Sequence, residues 1–305
     1  MKDSPFFRQA GLMLRVIPHV AAEKCFALKG GTAINLFIRN MPRLSVDIDL
    51  TYVPIESRDD SLKNISKALE RIAEAIYKAI PSSKVQKIIS KGSDLTTKLI
   101  VSYQDARIKI EPNEVIRGVV FPCEDRELCK EAEELFELST SILTLSLADL
   151  FGGKICAALD RQHPRDLFDV KNLLEKEGIT DDIRKAFVIY LASHDRPMSE
   201  LIDPVRKDLH PVYQSEFLGM TAAQVPYEDL ISARETCIRI IRKELTYQER
   251  SFLLSIKEGE PNWELMGVKG IEKLPAIQWK IINIRRMDKK KRVEALEKLR
   301  SLLTV

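Results

Sequence analysis

Two aspartates separated by one residue are the most informative chemical feature of the sequence. Asp47 and Asp49 lie in the segment from Val46 to Val53, in which apolar and polar residues alternate. This period of two predicts a half-buried strand, and alternate side chains of a strand point to the same face. The two carboxylates should therefore lie about 7 Å apart on one face, where both can reach divalent cations. Mg²⁺ (or Mn²⁺) prefers a few carboxylates together with water and phosphate oxygens.

A glycine turn precedes this acidic strand. The apolar run from Cys25 to Leu28 predicts a short strand, Gly30 and Gly31 follow it, and a helix is predicted from Thr32 to Arg39. A turn of this kind presents backbone N–H groups and a positive helix end to phosphate oxygens. Two aspartates at this spacing, with no other motif near them, are typical of a solvated strand face. Here a turn suited to phosphate binding precedes them in the sequence.

The order of strand, glycine turn, helix and acidic strand resembles the DNA polymerase β-like nucleotidyltransferases. Residues 29–33 read K-G-G-T-A and residues 43–50 read R-L-S-V-D-I-D-L, which is similar to the AbiEii/AbiGii toxin family of nucleotidyltransferases. A second motif of that family follows more than 100 residues downstream, as D-L-F-G-G-K at 149–154 and P-R-D-L-F-D-V at 164–170. The resemblance covers roughly residues 25–175.

This resemblance implies an α+β fold in which a polymerase β-like nucleotidyltransferase core, a mixed sheet with flanking helices, is followed by an α-helical domain. The hydrophobic pattern changes from mixed to helical near residue 145. We therefore expect a nucleotidyltransferase core at 1–145 and a helical domain at 146–305 that completes the active site.

The pattern also predicts individual elements. Strands are predicted at 84–89, 96–103 and 106–111, the last two joined by a hairpin at Gln104 and Asp105, with weaker strand signals at 115–121 and 135–145. Helices are predicted at 7–22, 57–80, 146–160, 165–177, 181–193, 222–243, 246–258 and 286–303.

The resemblance implies a role for each residue of the first motif. Asp47 and Asp49 would bind the metal, and the nucleotide would contact Gly30, Gly31, Thr32, Arg43 and Ser45. Glu111 is the candidate third carboxylate, acting as base or metal ligand, because it ends a predicted strand. Alternation also places Lys109 and Arg107 on its face, which is equally typical of a solvated side.

The second motif supplies further candidates. Lys154 is a nucleotide-binding lysine by resemblance, although a lysine beside an apolar helix stripe can also simply extend to solvent. Asp166 and Asp169 share a helix face, and Asp166 is the preferred active-site residue; its alternative role is to compensate the helix dipole. Arg165 is either a phosphate contact or an ion-pair partner.

The implied function is Mg²⁺-dependent transfer of a nucleoside monophosphate from an NTP to an acceptor. Family members act as toxins of toxin–antitoxin systems of the phage-defence type, with a cognate antitoxin protein, and some add nucleotides to the 3′ end of tRNA. Two alternatives stay open: transfer to a small molecule or a protein hydroxyl, and a non-catalytic nucleotide-binding module.

The composition bears on the location of the protein and on the state of its cysteines. The 305 residues carry 48 Lys plus Arg and 45 Asp plus Glu, and no apolar run approaches the length of a membrane span. No clean signal peptide is visible at the start, so we expect a cytoplasmic protein. Five scattered cysteines without a C-x-x-C pair argue against disulfides and structural zinc.

The C-terminal segment from Arg285 to Arg300 is locally cationic, with eight basic residues against three acidic ones. Such a segment can line a phosphate backbone. The alternative is a solvated helix with Val293, Leu296 and Leu299 docked inward.

Overall fold

A mixed seven-stranded sheet is the central feature of the computed structural model, which describes residues 5–303. The strands are β1 Phe26–Lys29, β2 Asp47–Tyr52, β3 Lys84–Ile89, β4 Thr96–Tyr103, β5 Ala106–Asn113, β6 Glu124–Glu127 and β7 Ser141–Thr144. Their order in the sheet is β3-β4-β5-β2-β1-β7-β6. The acidic strand β2 is therefore central, parallel to β5 and antiparallel to β1.

The described helices precede, separate and follow these strands along the chain. They are α1 Pro5–Ala21, α2 Gly30–Ala33, α3 Arg58–Ala79, α4 Lys130–Phe136, α5 Leu147–Arg161, α6 Pro164–Lys176, α7 Asp181–Ser193, α8 Met198–Ile202, α9 His210–Glu216, α10 Tyr227–Glu244, α11 Tyr247–Glu258, α12 Pro275–Arg286 and α13 Lys289–Leu303. The predicted α+β fold class, with helices flanking a mixed sheet, is confirmed. Within residues 5–303, no helix is both long and apolar enough to cross a membrane.

The chain divides into two compact units. The first comprises the residues up to Ser146 together with Leu218–Gln224, and the second comprises Leu147–Phe217 and the chain from Val225 onward. The sheet belongs to the first unit. The segment Leu218–Gln224 is thus a part of the first unit that the chain supplies from within its helical half.

Local sequence explains where the long helices begin. Ser57 caps α3 by accepting a hydrogen bond from the backbone N–H of Asp60, and α3 ends before Pro81. Thr246 and Glu249 form a capping box at the start of α11. His163 caps α6, with Pro164 in its first turn.

Four predicted elements differ from the structure. The strand predicted at 115–121 is wrong, because the Asn113 side chain accepts hydrogen bonds from the N–H groups of Val115 and Ile116 and turns the chain out of the ladder. The strand predicted at 135–145 is reduced to β7, since α4 runs through Phe136. The helix predicted at 222–243 begins only at Tyr227, after Pro226. The helix predicted at 32–39 starts at Gly30 and ends in a π turn, Ile34–Ile38.

The C-terminal helix prediction also needs correction. The helix predicted at 286–303 is α13, which begins three residues later at Lys289, and α12, Pro275–Arg286, was not predicted. In α13, Leu299 is buried as predicted, but Val293 is 44% exposed and does not dock inward.

Candidate active site

The glycine turn lies directly against the acidic strand. Gly30 has a φ of +73°, in the left-handed region that favours glycine, and a Cβ there would come 2.7 Å from Oδ2 of Asp49. A Cβ on Gly31 would come 2.5 Å from Nη2 of Arg43 and 3.2 Å from Oγ of Ser45. The missing side chains of the two glycines therefore let a carboxylate, a guanidinium and a hydroxyl approach the turn.

Thr32 fastens this turn to the start of β2. Its side chain is buried, and its Oγ1 donates to the backbone carbonyl of Asp47 at 2.5 Å and lies 2.9 Å from Oγ of Ser45. Thr32 is a predicted nucleotide contact, but its hydroxyl is engaged within the protein. The hydrogen bond from Thr32 to the carbonyl of Asp47 fixes the position of Asp47 relative to α2.

The loop that carries Arg43 is held by the segment Leu218–Gln224. The N–H of Leu44 donates to the carbonyl of Met220 at 2.8 Å, and the N–H of Ala222 donates to the carbonyl of Pro42 at 3.1 Å. Arg43 forms an antiparallel bridge with Thr221 and is buried, with its Nη1 donating to the carbonyl of Leu44. The backbone of Arg43 is thus positioned by the pairing with Thr221, and its guanidinium by the hydrogen bond to the carbonyl of Leu44.

A row of charged residues crosses the sheet at Asp49. In the ladder, Asp49 pairs with Lys29 of β1 and with Glu111 of β5. Glu111 in turn forms an ion pair with Lys98 of β4, with Oε1 2.6 Å from Nζ. The structure therefore places the predicted third carboxylate beside Asp49, but Lys98 already compensates its charge.

The carboxylates of β2 suit a divalent ion that also binds a nucleotide. Asp47 and Asp49 are half-buried and alternate along one strand, while the intervening Ile48 is fully buried on the other face. Among residues 5–303, no three His, Cys, Asp or Glu side chains are arranged to hold a metal ion. Mg²⁺ typically uses one or two carboxylates and completes its shell with water and substrate phosphates, so the two aspartates fit this ion.

The second unit contains a buried ion-pair network built from the downstream motif. Nζ of Lys154 on α5 lies 2.8 Å from Oδ1 of Asp166 and 3.0 Å from Oδ2 of Asp169, both on α6. Nη2 of Arg161 lies 2.8 Å from the other oxygen of Asp166. Lys154 and both aspartates are almost completely buried. Lys154 therefore does not extend to solvent, and its charge is balanced by carboxylates of its own unit.

Arg165 occupies the rim of this network. Its Nη2 lies 3.8 Å from Oε2 of Glu216, which also contacts Nε2 of His163 at 3.2 Å. Burial lowers the pKa of His163 below its ordinary value, although the hydrogen bond with Glu216 opposes this. Of the two roles open for Arg165, the ion pair is the one present in this structure.

Three residues of the two networks have no assigned role in the sequence prediction: Lys29, Lys98 and Arg161. Lys98 could have been found from the hairpin alone, because a two-residue turn at Gln104 and Asp105 sets Lys98 opposite Glu111. Lys29 follows from pairing β1 with β2, for which the sequence carries no local signal. Arg161 ends the same helix as Lys154, and the tight α5–α6 turn brings it to Asp166.

A mixed sheet with paired aspartates on its central strand, set against a glycine turn, defines a nucleotidyltransferase of the polymerase β-like class. A comparison with protein families makes the assignment specific. The family described as "Nucleotidyl transferase AbiEii toxin, Type IV TA system" matches residues 11–279, and the chain belongs to this family. It is therefore a nucleotidyltransferase toxin of a type IV toxin–antitoxin system, which implies an NTP substrate and a cognate antitoxin.

Solved structures give independent support for the fold. The protein is similar to MenT4, a nucleotidyltransferase toxin from Mycobacterium tuberculosis H37Rv, with a TM-score of 0.58 and 14% sequence identity over 97% of this chain and 94% of that chain. The search of curated proteins gives no match. At such low identity the structural likeness supports the fold alone.

Proposed function

We propose that this toxin transfers a nucleoside monophosphate from an NTP to the 3′ end of tRNA, using Mg²⁺ (or Mn²⁺) at Asp47 and Asp49. The observation that carries the proposal is the glycine turn. Gly30 leaves room for the carboxylate of Asp49, and Gly31 leaves room for the guanidinium of Arg43. Metal-binding and phosphate-binding groups thereby meet at one turn.

In the proposed complex, several residues of the first unit bind the triphosphate, each in a different way. Gly30 and Gly31 bring backbone N–H groups to the phosphate oxygens. Arg43 supplies a positive charge beside them, and Ser45 supplies a hydroxyl that can form a hydrogen bond. Thr32 acts through the carbonyl of Asp47 and keeps that aspartate in place. A divalent ion at Asp47 and Asp49 supplies charge neutralisation to the phosphates.

In the proposed reaction an acceptor hydroxyl attacks the α-phosphorus in line. A new bond forms between the hydroxyl oxygen and the α-phosphorus, the bond to the bridging oxygen of the β-phosphate breaks, and pyrophosphate leaves. Glu111 is the residue to accept the hydroxyl proton or to join the metal ligands. The proposed reaction assigns no phosphate contact to Lys154 or Arg165. In the second unit Lys154 is held by Asp166 and Asp169, and Arg165 pairs with Glu216.

Incubation with each radiolabelled NTP and total tRNA tests the proposal. Wild-type protein should transfer label from at least one NTP to tRNA, and Asp47→Ala/Asp49→Ala should not. Equal transfer by that double variant would contradict the assigned site. Label that appears on a protein or small molecule, but not on tRNA, would instead support the alternative acceptors.

The role of Glu111 needs a separate comparison. Glu111→Gln removes the carboxylate, whereas Lys98→Met removes its partner and leaves the carboxylate in place. If Glu111 acts in the reaction, the first change lowers kcat far more than the second. If Glu111 only pairs with Lys98, the two changes have similar small effects, since an exposed pair contributes about 0–1 kcal/mol.

The biological setting follows from the substrates. NTPs and tRNA are cytoplasmic, so we place the activity there, with phage defence as its proposed purpose. Co-expression with the gene for the cognate antitoxin should restore growth to cells that the toxin arrests, and Asp47→Ala/Asp49→Ala should not arrest growth at all.

A further inference from the structure

Helix α12 exposes two large apolar side chains on one face. Trp279 is 57% exposed and Ile282 is 38% exposed, and they are three residues apart. Arg286 follows four residues after Ile282, so the three side chains form a stripe about 10 Å long. The apolar face of α12 is already packed inward through Ala276, Ile277, Ile281 and Ile284. The exposed indole is therefore not needed for the core of the second unit.

Cations continue this stripe into α13. Between Trp279 and Arg292 the chain carries seven basic residues and one acidic residue. Lys280 is engaged inward, where its Nζ donates to the backbone carbonyls of His194 and Arg196. In the described part of the chain, Arg286 and Lys289–Lys291 are exposed and form no ion pair. We call Trp279, Ile282, Arg286 and Lys289–Lys291 the α12–α13 surface.

The acidic residue in this stretch does not neutralise the surface. Oδ1 of Asp288 accepts hydrogen bonds from the backbone N–H groups of Lys290 and Lys291 and thereby caps α13. The lysine side chains remain available to an external anion. The matched family sequence ends at residue 279, so these cations lie beyond it.

The chemistry of this surface favours a nucleic acid over other anionic partners. Proteins that bind single-stranded nucleic acid combine cations that follow the phosphates with an aromatic ring on which a base stacks. A membrane-bound helix would instead leave its apolar face free, whereas that face of α12 is buried. An acidic protein would satisfy the lysines and leave the exposed indole without a role.

We propose that the α12–α13 surface binds an unpaired stretch of RNA, with a base stacked on Trp279 and phosphates along Arg286 and Lys289–Lys291. This inference rests on the proposed function, because it names the surface that holds the RNA acceptor. The binding step itself requires neither the NTP nor the metal, so it can be tested without transfer.

Tryptophan fluorescence reports on the stacking contact. The chain has two tryptophans, and Trp263→Phe leaves Trp279 as the single reporter. The background carries Asp47→Asn/Asp49→Asn, which prevents turnover. Titration with a short oligoriboadenylate should quench the emission, and a blunt RNA duplex of equal length should quench it much less. No quenching by any RNA would overturn the stacking contact.

Charge reversal tests the phosphate contacts. Lys289→Glu/Lys290→Glu places acids in the first turn of α13, where they favour the helix, so folding should persist. The affinity for the oligonucleotide should fall at least tenfold, and the slope of log affinity against log salt should shrink by about 1.4. The matched control is Lys63→Glu/Lys67→Glu, which reverses two exposed lysines of α3 and should change neither quantity.

Substitution of the indole separates stacking from charge. Trp279→Ala should weaken binding roughly tenfold or more with an unchanged salt slope, and Trp279→Phe should restore much of the affinity. Equal RNA binding by wild type and both sets of variants would overturn the proposal, as would tighter binding to anionic vesicles or polyglutamate. If these results hold and no NTP is transferred, the surface stands and the proposed tRNA transfer fails.

Discussion

Gly30 and Gly31 show how a missing atom defines this site. Gly30→Ala should abolish most nucleotide transfer, because the new methyl group would displace the carboxylate of Asp49. Alanine in the left-handed region of the backbone adds a strain of about 1–2 kcal/mol. Labelled-NTP transfer and urea unfolding of the variant measure the two effects.

Gly92 provides the matched control for this prediction. Its φ of +78° is nearly the same as that of Gly30, but a Cβ there would meet nothing within 4 Å. Gly92→Ala should therefore cost similar stability and leave transfer intact. If both alanine variants lose activity equally, the contact with Asp49 is not the reason.

Lys154 compensates two buried carboxylates at once. Lys154→Met should destabilise the protein by about 3–5 kcal/mol, because it leaves buried charge uncompensated. The control is Lys171→Met on α6, which removes ion pairs with the exposed carboxylates of Glu175 and Asp229 and should cost less than about 1 kcal/mol. Urea denaturation compares the two variants.

A second substitution keeps this prediction informative. Lys154→Met/Asp169→Asn removes one carboxylate together with the lysine and should recover part of the lost free energy. A similar loss for Lys154→Met and Lys171→Met would show that the network carries little stability.

At the scale of elements, the segment Leu218–Gln224 acts as a strand partner for the Arg43 loop. Ala222→Pro removes the N–H that donates to Pro42 and should cost about 1 kcal/mol of stability. Because the pairing positions Arg43, the variant should also raise the KM for the NTP more than it lowers kcat. Steady-state kinetics with the labelled NTP measure this difference.

Gln224→Pro is the control for this element. Gln224 is exposed, and in the described residues its N–H donates to no protein acceptor. The Gln224→Pro variant should therefore leave the KM for the NTP unchanged. If both proline variants raise KM equally, the effect lies in the flexibility of the segment, not in its pairing with the loop.

Elements with strong local signals could be predicted from the sequence, and those that depend on distant partners could not. The limits of α3 and α11 follow from their caps, and the β4–β5 hairpin follows from its turn. The pairing of residues 42–44 with 220–222 joins segments nearly 180 residues apart, which no local pattern reveals. For the same reason the sequence predicts the residue types around Asp49, but not that Lys29 of β1 pairs with it.

At the scale of the whole molecule, three half-buried histidines make stability depend on pH. Burial lowers the pKa of His19 in the first unit and of His163 and His194 in the second. Asp195 and Asp160 oppose this effect at His194, and Glu216 opposes it at His163. The net direction is nevertheless downward for all three, so each histidine is held neutral in the folded protein at pH values where the unfolded chain is protonated.

The sign of the resulting pH dependence follows from proton linkage. Below the ordinary histidine pKa of about 6.5, the unfolded chain binds more protons than the folded one, and acid therefore favours unfolding. Urea midpoints should be constant from about pH 8 to 7 with respect to these groups and fall toward about pH 5.5. His163→Asn/His194→Asn keeps acceptors for the N–H groups of Arg165 and Arg196 but removes both titrations, so its midpoint should fall less. An identical decline in wild type and variant would show that His163 and His194 do not cause the acid sensitivity, which would then rest on groups the variant keeps, such as His19 and the carboxylates.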